Sequence, residues 1–381
     1  MQPESRAFHQ ETYMTIRWLA ALAMSLALGA AHAQLRIGQP SGFTGSVAAG
    51  VKENTDGAKL YFDAVNARGG VNGQPIELIS VDDKFDPKVT VEVSRELITQ
   101  RKVLALFLNR GTPHSQALLP LLAEHKVPLV APSTGAMVLH EPVNPWVFNV
   151  RATYQREAAR AIEHLASIGQ NRIAIIETDD SFGADSAAGA MQGFAKVKLE
   201  PVLRQKTPRD KPDYSAVAAE IAKLQAHAVM VIASAGNTAS AVKALRAAGS
   251  RAQVVTLSNN ASEGFIKLLG EHAHGVIVTQ VFPNERSVSY GLIKEAQDLA
   301  RAKGLPGVSP AMMEGFAAAK VLTEGLRRAG PAPTPQKLRD ALEGLSRYDL
   351  GGLTVSYSPT NHTGLDFADL SIIDASGRFR R

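Results

Sequence analysis

Short β-branched runs alternate with longer helical stretches along this chain, and that predicts an α/β protein of two doubly wound parallel-sheet lobes joined by three hinge crossings. Three observations carry the prediction. The alternation runs from Leu35 to Val150 and starts afresh at Arg156, and strands separated by helices at this spacing build parallel sheets covered on both faces. The 381 residues exceed the roughly 250 to 300 at which one core stops growing. The last third is mostly helical with two strand-like runs, too few for a third core, so it returns to complete the two earlier lobes.

In the first series the strands are Leu35–Gln39, Ile76–Val81, Val103–Leu108, Pro128–Val130 and Trp146–Val150. Helical periodicity covers Lys52–Arg68, Val89–Gln100 and Ser115–His125. The second series places strands at Arg172–Glu177, Ala228–Ile232, Gln253–Leu257 and Gly275–Thr279. Its helices are Arg156–Ser167, Ala184–Ala195, Ala216–Gln225 and Thr238–Ala248. Beyond these, Tyr290–Lys303, Pro310–Arg328 and Thr334–Leu345 read as helices, and Leu353–Tyr357 and Leu370–Ile373 as strands. No low-complexity linker interrupts the chain, so the crossings are short, near Val150, Thr279 and Phe367.

Composition removes several function classes. With 45% hydrophobic residues, 31 glycines and 20 prolines the chain is globular. The absence of cysteine excludes a disulfide framework, a thiol nucleophile, a thiolate metal site and a lipid-modified cysteine. The net charge of +5 comes from 41 basic and 36 acidic residues dispersed along the chain, and aromatics make up 6%. Nucleic-acid binders concentrate charge and interleave aromatics, so no nucleic-acid partner is expected.

The N-terminal segment reads as a cleaved secretory signal over residues 1–33. Arg17 precedes an apolar stretch from Trp18 to Leu28, and Ala31-His32-Ala33 fits the small-residue cleavage rule. The stretch is roughly half the ~20 residues that span a bilayer. Residues 1–13 carry Glu4 and Glu11, unsuited to a signal, so Met14 is a candidate true start. The expected mature chain begins at Gln34 and is soluble.

Open α/β sheets bind ligands outside the carboxyl ends of their strands, where helix N-termini favour anions. Those loops are Ser41–Ser46, Asn109–Pro113 and Ser133–Gly135 in the first lobe, and Asp179–Gly183, Ser234–Asn237 and Ser258–Asn260 in the second. Glycines and small hydroxyls dominate, which suits one small anionic group held by neutral donors. Asp86-Pro87 and Thr112-Pro113 read as helix caps, Thr112 with ligand contact besides; Arg110 reads equally as a surface cation or as a carboxylate partner. Asp82-Asp83 and Asp179-Asp180 read as solvated strand ends, and Glu271–His274 as a turn. Phosphate-loop, nucleophile-elbow and zinc-protease motifs are absent from the sequence, and neither a cofactor nor enzyme activity is expected.

Several segments together resemble the leucine/isoleucine/valine-binding type of periplasmic solute receptor. They are Leu35–Gly38 leading to Ser41-Gly42, the run Asn66-Ala67-Arg68-Gly69-Gly70-Val71-Asn72-Gly73, Val81–Asp83 with Asp86-Pro87, Pro132-Ser133, Arg172–Ile176 with Phe182-Gly183, and Gly364–Phe367. The resemblance implies a type I periplasmic binding protein: a monomer that closes on a small-molecule ligand, a carboxylate or amino acid, and hands it to an inner-membrane ABC permease. Lobe 1 is then residues 34–150 plus 281–365, and lobe 2 residues 151–280 plus 366–381. Candidate ligand contacts are Phe43, Ser46, Arg110, Gly111, Thr112, Ser133, Thr134 and Gly135 on the first side. On the second they are Tyr154, Phe182, Ser234, Ser258, Asn259 and Phe282, with an aromatic from the C-terminal third at Phe316. The acid that amino-acid binders of the family present near Ser258 is missing from the loops, which tilts the ligand toward a hydrophobic, aromatic carboxylate. A ligand-sensing receptor domain of the same fold is the alternative, with an α/β enzyme behind it.

Overall fold

The computed structural model describes residues 34–381; the expected signal segment, with Met14, lies outside the described residues. Two sheets carry the architecture. The first has order β2-β1-β3-β4-β5, built from Leu35–Ser41, Ile76–Asp82, Ala105–Phe107, Leu129–Val130 and Val147–Phe148 as β1 to β5, all parallel. The second has order β14-β13-β10-β9-β8-β6-β7. Its parallel part is β6 Ile173–Thr178, β7 Leu203–Thr207, β8 Ala228–Ile232, β9 Gln253–Thr256 and β10 Ile277–Gln280. The returning C-terminal strands β13 Asp369–Ile373 and β14 Phe379–Arg380 add to it antiparallel, so this sheet is mixed rather than wholly parallel. The expected strand at Leu353–Tyr357 shortens to β12 Thr354–Val355 and joins β11 Tyr348–Asp349 in a separate ribbon, outside both main sheets.

Helices cover both faces of each sheet. In the first lobe α1 Ala48–Ala67, α9 Gly291–Ala302 and α10 Pro310–Ala329 bury one face, through Leu60, Phe62, Ile293, Met313 and Phe316 against Ile37 and Phe107. Helices α2 Pro87–Thr99 and α3 Thr112–His125 bury the other, through Leu97, Leu118 and Leu122 against Leu106 and Leu129. In the second lobe α4 Tyr154–Ser167 and α5 Ser181–Val197 pack one face. Helices α6 Ser215–Lys223, α7 Ala235–Ala247 and α8 Glu263–Leu269 pack the opposite one. Helix α11, Pro335–Glu343, seals the first lobe with Leu338 and Leu342.

Helix starts are chemically specified. Asp86 accepts from Lys88 N at 2.8 Å ahead of Pro87, as the sequence predicts, and Ser309 and Thr334 cap α10 and α11 the same way, each satisfying an orphan N–H of a first turn. Sequence periodicity misses β7 because Leu-Arg-Gln-Lys-Thr has no apolar alternation; it is an edge strand with mostly exposed side chains, where charge blocks unwanted pairing. It also misses α8, which at 7 residues is too short to show a period.

The chain passes between the sheets after Phe148, after Gln280 and before Asp369. The first and third passages are laced together: Asn149 N donates to His362 O at 2.9 Å, Leu365 N to Val150 O at 3.0 Å, and Tyr357 Oη to Asn149 O at 2.6 Å. Gly364 sits here at φ +81, with no room for a side chain beside the Asn149 carbonyl.

Two helix pairs touch backbone to backbone. A Cβ on Gly57 would overlap the Met312 carbonyl, and one on Gly315 the Asn54 carbonyl, so α1 and α10 cross with no side chain between them; Gly189 does the same for α5 against Gln155 of α4. A branched residue at such a point forces the helices apart. Gly315→Val is expected to destabilise the protein by at least about 1 to 3 kcal/mol, read as a lower urea midpoint at unchanged slope. A wild-type midpoint would contradict this packing.

Candidate functional site

The carboxyl ends of both sheets face each other across a cleft walled by residues of both lobes, the place where open α/β sheets bind ligands. From the first lobe come Val47, Phe85 of the turn after β2, Arg110 and Gly111 between β3 and α3, and Thr112 at the first position of α3. From the second come Tyr154 of α4, Thr178, Asp180 and Phe182 around the β6–α5 turn, Arg209, Ser234 and Asn237 near α7, and Asn259 after β9. A larger groove between α1, α8 and residues 303–309 is lined by surface charges that already pair, Lys52 with Asp56 and Lys303 with Asp63, and it lies away from the strand ends.

Of the residues expected from the sequence, Arg110, Gly111, Thr112, Tyr154, Phe182, Ser234 and Asn259 line the cavity. Thr112 does not cap α3: the cap position is Gly111 at φ 101, and Thr112 Oγ1 instead pairs with Thr134 Oγ1 at 2.7 Å. Ser133 and Ser258 lie in the hydrogen-bond network described below. Ser46 reaches the lobe interface beside Gly236, whose Cβ would stand 3.3 Å from that of Ser46. Phe43 donates its backbone N–H to Asp82 at 2.8 Å and does not line the cavity. Gly135 serves the chain rather than the cleft, because a side chain there would press on Ala152 and Tyr154 backbone. Phe282 and Phe316 require correction. Both are buried in the first-lobe core, Phe316 edge-on to Tyr61 at 5.1 Å; on α10 the residue that turns to the cleft is Glu314, two positions earlier.

Beneath the cavity runs a buried network of charges. Arg151, 1% exposed, leaves the first crossing and pairs with Glu157 of α4, donates to Ser258 Oγ at 2.6 Å, approaches Glu314 at 3.8 Å and lies 4.5 Å over the Tyr154 ring. Burial pulls its pKa down, but the carboxylates of Glu157 and Glu314 outweigh this and hold it above the ordinary arginine value. Glu157 also accepts from Ser258 N at 3.0 Å and from Thr279 Oγ1. Glu314 accepts from Ser133 Oγ at 2.8 Å, and Ser133 in turn receives Arg110 at 3.1 Å. Arg110 reaches across the cleft to the Asn259 carbonyl.

The acids at the cleft correct two expectations. Asp180 is no solvated strand end: it caps α5 by accepting from Phe182 N and Gly183 N and pairs with Arg209. Asp83 is buried, accepts from Thr90 Oγ1 at 2.8 Å, and burial raises its pKa to about 6. Carboxylates are therefore present around the cavity, but Glu157 and Glu314 sit on helices, so a survey of loops does not meet them. Asp180, Glu157 and Glu314 each already face an arginine, and Asp83 is taken up by Thr90 Oγ1 and Phe85 N. Among the described residues, Arg110 is the one charged cavity-lining side chain without an ion-pair partner; its partners are neutral oxygens. Next to it, His114 is buried beneath Phe85, and burial lowers its pKa to about 4, so it is neutral near pH 7.

One cavity walled by two lobes, with strand-end loops on each side, is the geometry of a small-molecule binding cleft. The sequence profile of the periplasmic binding protein family matches residues 34–370, and the chain belongs to that family, as a type I member of the leucine/isoleucine/valine-binding kind. A substrate-binding periplasmic protein from Ralstonia solanacearum is 32% identical, with TM-score 0.82 over 91% of this chain and 99% of that one. Leu/Ile/Val-binding protein homolog 3 from Brucella melitensis biotype 1 is 24% identical over 360 residues, 91% of this chain and 94% of its own. Leu/Ile/Val-binding protein BraC3 from Rhizobium johnstonii is 26% identical over 341 residues, 87% and 89% respectively.

Removing one partner of a buried ion pair strands the other charge. Glu157→Gln is expected to cost about 3 to 5 kcal/mol of unfolding free energy, measured by urea denaturation. A loss below about 1 kcal/mol, the scale of an exposed pair, would mean that water reaches Arg151.

Proposed function

We propose that this protein is the periplasmic solute-binding component of an ABC importer, and that it captures a small hydrophobic carboxylate, aromatic in preference to a free amino acid, by closing its lobes. The observation that carries the reading is Arg110: a 5% exposed guanidinium on the cavity wall with neutral partners only. An incoming carboxylate supplies its missing counter-charge, with Thr112 as a neutral donor beside it. Val47, Phe85, Tyr154 and Phe182 offer apolar and aromatic wall, and each Å² of apolar ligand surface they cover gains about 25 cal/mol. An α-ammonium finds every nearby carboxylate engaged, and burying it unpaired costs several kcal/mol. The units that close are residues 34–150 with 281–365 and residues 151–280 with 366–381. The mature protein starts at Gln34, acts as a monomer in the periplasm and docks on an inner-membrane permease.

A branched-chain amino acid is the second reading. Relatives named for Leu/Ile/Val binding favour it, and so does Asp180, which lines the cavity and would receive an ammonium if Arg209 turned away.

Thermal-shift screening separates the two readings by comparing leucine and valine with their 2-oxo acids and with aryl carboxylates at equal concentration. The proposal expects the larger stabilisation from acids lacking the amino group. Arg110→Met and Thr112→Val are each expected to weaken the best of them by about one to two powers of ten, the loss of a hydrogen bond to a charged group. If leucine or valine stabilises more than every des-amino acid, the amino-acid reading replaces this one.

A further inference from the structure

Phe85 is held in a backbone conformation that bulky residues avoid. Lys84 and Phe85 are consecutive left-handed residues, at φ 55 and 56, and such strain persists only where the surroundings over-determine it. Here they do. Asp82 Oδ1 accepts from Lys84 N at 3.0 Å and Asp83 Oδ1 from Phe85 N at 2.9 Å, while buried Asp83 is itself anchored by Thr90 and by its own N–H on Ser41 O. The turn presents the Phe85 ring to the cleft, stacked on His114 with centroids 4.3 Å apart and planes at 14°.

The second lobe meets that ring with a cation. The Arg209 guanidinium lies 5.1 Å from the Phe85 centroid. It is aimed from its own side: Asp180 pairs with it, and Asn237 Nδ2 holds the Arg209 carbonyl at 2.8 Å. Each half of the contact is thus preset within its own lobe, and only closure brings the halves together. Both residues line the cavity.

We propose that Phe85 and Arg209 form an interlobe clasp at the ligand cavity, which stabilises the closed state without help from the ligand. The clasp fixes how much of the unliganded protein is already closed, and apparent affinity scales with that fraction. The strained turn serves to fix the ring where the arginine arrives. Other cross-lobe contacts, such as Glu53 of α1 accepting from Gly264 N at 2.8 Å, survive loss of the clasp, so closure is weakened rather than abolished.

The chain has no cysteine, so Glu92→Cys in α2 and Lys243→Cys in α7, both exposed, give a clean spin-label pair across the cleft. Double electron–electron resonance on the ligand-free protein reads the open and closed distances directly, so the outcome does not depend on the ligand's identity and stands apart from the test of the proposed function. The labelled protein with otherwise native sequence is expected to contain a closed population. Arg209→Gln and Phe85→Leu are each expected to reduce the closed-to-open ratio by about 2- to 30-fold, the range of a cation–π contact, and the double variant no further than the stronger single. Arg209→Gln leaves the strained turn untouched, so it carries the test if Phe85→Leu does not fold. A wholly open ligand-free protein, an unchanged ratio in Arg209→Gln, or fully additive losses in the double variant would each overturn the clasp.

Discussion

The buried ion pair between Arg151 and Glu157 is the interaction on which the rest of this structure turns. It joins the first crossing to the first turn of α4, and through Ser258, Thr279 and Glu314 it ties strand ends of the second lobe to a helix of the first. Two charges removed from water are costly unless their donors and acceptors are met; the network meets Glu157 on both oxygens, while Arg151 Nη1 has only the Glu314 carboxylate at 3.8 Å. Its chemical consequence is selective. With the floor carboxylates committed to Arg151, and Asp180 to Arg209, the cavity retains Arg110 as the charge still to be matched.

Rigid lobes make this placement dependable. Helices α1 and α10, and α4 and α5, approach until glycine is the only residue that fits at the crossing, so each lobe is a tightly packed unit, and three short stretches of chain connect the two. The first and third of those are hydrogen-bonded side by side, which restrains them to bend together.

How much of this was legible in the sequence follows from which forces leave a local trace. Both sheets and the main helices are legible because burial is written residue by residue: a strand covered on both faces is a continuous apolar run, as in Ala228–Ile232, and a half-buried helix shows its period. The rule that ligands meet strand carboxyl ends led to Arg110, Thr112, Phe182 and Asn259, since those loops follow directly from the strands. Side chains that reach the cleft from helices left no such trace: Glu157 and Glu314 look like any amphipathic helix acids until the lobes are assembled. The sequence places an aromatic of α10 at the cleft but does not say which face of the helix meets it, a tertiary fact: Phe316 lies in the core, and Glu314, two residues earlier, reaches Ser133 and Arg151. Phe85 was invisible for another reason. Its left-handed backbone depends on the adjoining aspartates and on Thr90, and nothing in the string Lys-Phe-Asp announces it.

The most direct test of the account is to identify what the protein carries from the cell. Native mass spectrometry of protein recovered from the periplasm, followed by denaturation and analysis of the released small molecule, reads ligand, stoichiometry and chemical integrity at once. The account predicts one unchanged carboxylic acid per chain, apolar or aromatic and without an amino group, and its loss from Arg110→Met. Release of an amino acid instead, retained by Arg110→Met, would contradict it.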